Sequence, residues 1–290
     1  THRRATVRRM GSRRTVSIVA RRTSVLAAAA PTATSSQRTY RYLRIGTAAT
    51  VVAIFTAVAS ASTTVGVLPS VSAYYYSPAR DVFVGALIAA SLALFALSGR
   101  GPSRALLDAA ALFAPLIALV PTTPPASGTA VETGTSVVTY VVVGAMAVAI
   151  AIVLTAAGST DRIGAGISIG TAAAVLTAVA ATAWTAPDAF ARWAHPIATL
   201  VFFALIAAVA VLAATTRADP VAPWMRAGYI AIAALLVVTG IAYGVITATG
   251  YDAGLPPVLV CEVAALTLFL AFWVLQTVQW WSDPDPAIRA

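Results

Sequence analysis

The chain has no lysine, one cysteine and two histidines in its 290 residues. Cys261 stands alone, so no intrachain disulfide can form. Without lysine there is no phosphate-binding Gly-x-x-x-x-Gly-Lys loop. A membrane zinc hydrolase needs about three protein ligands around its metal. His2 lies in a basic tail, and His195 with Glu262 and Asp81 is a poor substitute for such a set, so no metal site is expected. No haem or iron–sulfur ligand pattern occurs, and no cofactor is implied. Charge is scarce as well. Only 10% of residues are charged, against about 25% in soluble domains. Such a chain cannot cover a water-facing surface.

What it has instead is apolar length. The chain is 59% hydrophobic with a mean hydropathy of +0.86, and lipid is the solvent that accepts such a surface. Eight apolar runs cover about 45–68, 82–98, 105–121, 136–157, 163–184, 194–216, 226–248 and 256–278. A helix needs about 20 residues to cross the hydrocarbon layer. The second and third runs are the shortest, and Pro78 as an early helical position would lengthen the second. The expected fold is all-α, an integral membrane bundle of about eight transmembrane helices. It divides into a disordered basic cytoplasmic tail (1–44), a transmembrane helical domain (45–278) and a short cytoplasmic tail (279–290).

The positive charge supports that count. Eleven of the nineteen arginines precede residue 45. With the tail inside, alternation puts Arg100, Arg104, Arg162, Arg217, Arg226 and Arg289 inside too, and leaves only Arg80 and Arg192 outside. Losing one span would spoil the split. Trp184 and Trp193 then mark the outer interface, and Trp224, Trp280 and Trp281 the inner one. A pI near 10.4 suggests nucleic acid in a soluble protein. Here the simpler partner of the tail is anionic lipid headgroups, and no nucleic acid is expected. The Ala, Val and Arg bias has the look of a GC-rich bacterial genome, which implies a bacterial cytoplasmic membrane. Met10 is a candidate start. Ser12-Arg13-Arg14 faintly resembles a twin-arginine export signal, but only six residues separate it from the next arginine pair.

Charge within lipid costs about 2.5–3.5 kcal/mol on insertion scales, so Asp108 and Glu262, the two acids inside the spans, are informative. Asp108 lies four residues after Arg104 on one helix face, which predicts an ion pair at the inner interface. Glu262 should lie roughly 8 Å below the outer start of the eighth span. Its partner must come from another element, with Arg80 the natural candidate and His195 the other. The outer segment Ser70-Val71-Ser72-Ala73-Tyr74-Tyr75-Tyr76-Ser77-Pro78-Ala79-Arg80-Asp81 holds most of the remaining polar chemistry, and Asp81 can cap the helix that follows. Tyr74, Tyr75, Tyr76, Arg80, Asp81, Thr122, Thr123, His195 and Glu262 all map to the outer third, and they form the candidate outward-facing polar pocket. The alternative is a set of separate interface anchors and helix caps. Gly166-x-x-x-Gly170 and Gly240-x-x-x-Gly244 predict close helix packing. Gly166-Ile167-Ser168-Ile169-Gly170 also matches a serine-hydrolase elbow as a string. It falls inside a helix near the cytoplasm, roughly 30 Å from His195, which excludes that reading.

The run Ser-x-Ser-x-Tyr-Tyr-Tyr-x-Pro-x-Arg-Asp-x-Phe-Val-Gly from Ser70 to Gly85 resembles the hallmark of an uncharacterised bacterial family of polytopic membrane proteins. Asp108 with Pro121-Thr122-Thr123-Pro124, His195 with Phe202-Phe203, and Pro257 leading to Glu262 match further pieces. The resemblance spans roughly residues 45–278. Members of that family are shorter where this chain has the interval 136–184. The family brings no assigned activity.

Three classes of function remain open. One is a transporter of a small solute or lipid, with Glu262 and His195 as proton-coupled groups. The second is a non-enzymatic lipid-binding, sensing or scaffold protein. The third is an intramembrane enzyme, which requires a nucleophile, base or metal in contact. The residues lean towards a non-enzymatic role with transport leading. They name neither a ligand nor an oligomeric state.

Overall fold

In hydrocarbon each backbone N–H and C=O must be bonded within its own segment, so apolar runs of this length become helices. The computed structural model describes residues 34–99, 103–122, 133–158, 162–216, 221–251, 254 and 256–282. Residues 1–33, with Ser12-Arg13-Arg14, lie outside the described residues, as do Arg100, Thr123, Arg217 and 283–290. Among the described residues there are eight α-helices and one 3₁₀ turn. The helices are α1 Ser35–Val65, α2 Arg80–Leu97, α3 Ser103–Leu119, α4 Gly134–Ala156, α5 Arg162–Thr185, α6 Pro187–Thr215, α7 Pro223–Thr249 and α8 Pro257–Gln279, and the 3₁₀ turn is Ser72–Tyr76. Seven of them, all but α3, are long and apolar enough to cross a membrane.

Two boundaries differ from expectation. Helix α1 begins at Ser35, so the stretch 35–44, expected in the tail, is helical. Its arginines explain the extension. Arg41 Nε donates to the Trp281 carbonyl at 2.9 Å, Nη2 bonds the same oxygen, and the guanidinium lies 4.6 Å from the Trp281 ring centre. Arg44 is buried 5.9 Å from the Tyr40 ring centre. Aromatic faces hold these cations at the bundle end. Pro78 does not lengthen α2. It sits in the turn closed by the Arg80 N–H on the Ser77 carbonyl.

Helix α3, the shortest, is the hub. It packs against α2, α4, α5 and α6, and Ala110, Ala111, Ala114 and Ala118 are fully buried. Its small residues let four neighbours approach. Pro115 interrupts it and removes the N–H that would bond the Ala111 carbonyl four residues back. Ser91 of α2 supplies the donor, with Oγ 2.6 Å from that oxygen. The Tyr140 hydroxyl of α4 reaches the next carbonyl, Leu112, at 3.0 Å. Helices α4 and α5 form a peripheral pair, with α4 burying only Val137 and Tyr140 among its residues.

The expected glycine contacts are not where helices meet most tightly. A Cβ at Gly166, Gly170 or Gly244 would meet no atom within 4 Å, and one at Gly240 would sit 3.7 Å from Leu200. The close approach is at Gly144, where a Cβ would fall 2.5 Å from Leu176 of α5. Gly66 (φ +78°) and Gly250 (φ +66°) end α1 and α7 in the left-handed region that glycine adopts without a Cβ clash.

Contacts fix the helix order. The ends of α1 and α3 meet the starts of α2, α6 and α8 at one pole. Arg44 of α1, Ser98 after α2 and Gln279 of α8 share a cavity at the other. Successive helices therefore alternate in direction.

Candidate functional site

The site grows from the loop between α1 and α2. Tyr74 is buried and closes that loop: its hydroxyl lies 2.5 Å from Ser62 Oγ, accepts the Leu68 N–H at 3.2 Å and reaches the Gly66 carbonyl at 3.3 Å. Ser70 Oγ accepts the Ala73 N–H at 2.9 Å and starts the 3₁₀ turn. The Leu259 N–H on the Pro69 carbonyl, at 3.1 Å, clamps the first turn of α8 to the same loop. These bonds tie the start of α8 and the 3₁₀ turn to one loop.

Three groups then meet. Glu262 of α8 is 7% exposed, Ser72 6% and His195 of α6 2%. The Ser72 N–H donates to Glu262 Oε2 at 3.0 Å, and Ser72 Oγ donates to Oε1 at 2.7 Å. His195 Nε2 lies 2.9 Å from the same Ser72 Oγ. His195 Nδ1 lies 2.7 Å from the Val120 carbonyl, one of the orphan acceptors at the end of α3. A carbonyl can only accept, so Nδ1 carries a proton. Proton counting then limits Nε2 and Ser72, because a hydroxyl has one hydrogen. If Ser72 donates to Glu262, Nε2 must donate to Ser72, and the set is imidazolium, hydroxyl and carboxylate. If Ser72 donates to Nε2, the Glu262 carboxyl must itself donate. Both arrangements hold the same protons and no net charge, as a buried intramembrane set requires. They differ only by a proton shift along the Nε2–Ser72–Glu262 chain.

The other expected residues divide. Arg80 and Glu262 do not pair: Ser72 takes the carboxylate, while the Arg80 guanidinium donates to the Tyr75 hydroxyl at 2.8 Å and lies 4.5 Å from its ring centre. The aromatic face and hydroxyl satisfy Arg80 at the surface without the cost of burying it. The Tyr76 hydroxyl donates to the Thr122 carbonyl at 2.8 Å. Burial, then Tyr75, holds that phenol above its ordinary range against the pull of Arg80, so it stays a donor at neutral pH. Asp81 is exposed in the first turn of α2, and the cap position is Ala79, with no side-chain bond. Thr123 lies outside the described residues. Of the nine residues expected in one pocket, His195 and Glu262 come together; Tyr75 with Arg80, Tyr76 with Thr122, and Tyr74 form separate contacts. At the opposite pole Arg104 and Asp108 stand 3.6 Å apart, and Ser168 Oγ of α5 donates to Asp108 at 2.6 Å.

Two residues central to the site escaped sequence reasoning. Ser72 stood in the quoted run, yet serine offers no charge to flag it. Thr199 of α6, one turn beyond His195, has a buried hydroxyl without a partner. It lines two cavities together with Glu262. One is about 50 Å³, on the Ser72 side. The other is a crevice of about 300 Å³ between α6, α7 and α8. A further cavity of about 250 Å³ at the far pole is lined by Tyr40, Arg44, Ser98, Gln276 and Gln279. Among the described residues no group of three His, Cys, Asp or Glu side chains is placed to hold a metal ion.

No family model matches this chain, and no curated protein or solved structure matches it.

Proposed function

We propose that the chain is a membrane transporter for a small solute or lipid, with Glu262, Ser72 and His195 as a proton-coupled centre. The observation that carries this reading is the buried, hydrogen-bonded Glu262–Ser72–His195 set with cavities on either side of the carboxylate. A buried carboxylate in a span is costly to retain for packing alone, and its two proton arrangements offer a switch that a substrate can bias. In this reading the Glu262 pole faces outward and both chain ends face the cytoplasm of a bacterium, following the arginine bias. The likeness of the Ser70–Gly85 run to a bacterial membrane-protein family adds no activity.

The test uses proteoliposomes loaded with a pH dye and carrying a fluorescent single-chain amphiphile in the outer leaflet. The wild-type chain is expected to speed inward movement of the amphiphile and to change the internal pH with it, while Glu262→Gln does neither. Movement no faster than in protein-free liposomes overturns the reading for a lipid substrate.

A second reading, an intramembrane serine enzyme, is favoured by one observation: Ser72 Oγ stands 2.9 Å from His195 Nε2, the spacing of a nucleophile and its base. Against it, the Glu262 carboxylate beside the same oxygen opposes the negative charge of an acyl-transfer transition state. A fluorophosphonate that leaves Ser72 unlabelled in detergent and in membranes removes this reading; labelling lost in His195→Gln restores it.

A further inference from the structure

The crevice between α6, α7 and α8 opens towards lipid. Val237 and Ile241 at its lining are 53% and 63% exposed on a membrane-spanning helix. Its walls are mostly apolar, as at Leu200 and Phe203, with Thr239, Tyr243 and Cys261 also on the lining and Gly240 leaving room where a side chain would stand. Two polar groups interrupt this lining in ways that packing does not explain. The Thr199 hydroxyl has no partner, although threonines elsewhere in these helices, such as Thr247 and Thr267, bond the carbonyl one turn back. A buried hydroxyl left unpaired carries an uncompensated desolvation cost. The Glu262 carboxylate takes its donors from the Ser72 N–H and hydroxyl and from the Val71 N–H, which leaves acceptor capacity among the about four lone-pair sites of its oxygens.

From these we infer a binding site for a membrane-borne, single-chain alcohol, whose hydroxyl lies between Thr199 and Glu262 and whose hydrocarbon arm fills the α6–α8 crevice. The head chemistry follows from donor counting. Thr199 needs an acceptor, and Glu262 has acceptor capacity to spare. A hydroxyl does both: it accepts from Thr199 Oγ1 and donates to Glu262. An ammonium head has no acceptor for Thr199. A phosphate head brings like charge to Glu262 when that carboxylate is ionised. Size points the same way, because about 300 Å³ lies at the small end of ligand sites, which run from about 300 to 1,000 Å³. One hydrocarbon arm fills that volume, and two arms side by side do not fit within it. The inference rests on the reading of Glu262 as the substrate-facing group and names the substrate class for it.

The probe is hexadecanol carrying a diazirine on its chain, photolysed in phosphatidylcholine nanodiscs holding the full chain, with the labelled peptides mapped by mass spectrometry. Saturable labelling of α6, α7 and α8 around Thr199 and Gly240 is expected, displaced by unlabelled hexadecanol and at least tenfold less well by hexadecyl phosphate or hexadecyl trimethylammonium. Thr199→Val keeps the side-chain shape and removes a hydroxyl that bonds no protein atom, so the fold is not at stake, and it should weaken hexadecanol binding about tenfold. Gly240→Leu fills the crevice and should abolish labelling there. Non-saturating label spread over the lipid-facing surface, equal displacement by all three amphiphiles, or unchanged binding in Thr199→Val overturns the site. The assay has no gradient and no flux. Saturable binding without transport leaves this site standing and removes the transport reading, and transport without this labelling does the reverse.

Discussion

The residue that ties the site together is uncharged. Ser72 gives Glu262 two donors, its N–H and its hydroxyl, and bridges to His195. Glu262→Gln with His195→Gln should therefore be coupled, by about 0.5–3 kcal/mol in a double-mutant cycle of unfolding midpoints. Glu262→Gln with Arg80→Gln should be additive within about 0.5 kcal/mol. A coupled Arg80 pair with an additive His195 pair would show that Glu262 pairs with Arg80 and not through Ser72 with His195. Glu262 and His195 were legible because charge and imidazole are rare in lipid and demand a reason. The wrong partner for Glu262 has a physical source. Sequence displays formal charges, so Arg80 stands out, whereas the face of Tyr75 and the hydroxyl of Ser72 satisfy charged groups without appearing ionic. Thr199 was invisible because a helical threonine normally bonds its own backbone, and only coordinates reveal one that does not.

At the scale of the element, α3 depends on donors from its neighbours. Pro115 orphans the Ala111 carbonyl and Ser91 caps it. Ser91→Ala should cost about 1–3 kcal/mol, the range for an unsatisfied buried acceptor. Pro115→Ala in the same chain restores the N–H, so the double variant should unfold later than Ser91→Ala alone. A double variant no better than Ser91→Ala would detach Ser91 from the proline. The eight helices were legible as apolar runs, and seven of them have the length that crossing lipid requires. The central place of α3 was not. An apolar face turned to protein and one turned to lipid have the same composition, so burial cannot be separated from membrane exposure by hydropathy. The small residues of α3 carry that information only when its neighbours are known. The same limit misled the glycine pairs: Gly144 has no paired glycine to flag it, yet a Cβ there would run into Leu176 of α5.

For the whole molecule, alternation follows from helix contacts, but the side of the membrane does not, because a bundle has the same contacts either way up. Only the arginine distribution breaks that symmetry. Orientation is testable across α7, whose 27 residues reach about 40 Å and so carry the chain from one face to the other. Thr216 and Tyr251, before and after it, are both exposed. Cys261 is buried and is the chain's single cysteine, so Cys261→Ala gives a background without thiols. In that background Tyr251→Cys should react with a membrane-impermeant maleimide in intact cells. Thr216→Cys should react only after permeabilisation. The reverse pattern would turn the Glu262 pole inward, making the lipid crevice accessible from the cytoplasmic leaflet. Labelling of both from outside would mean that α7 does not cross, and the eight-span alternation would fail with it.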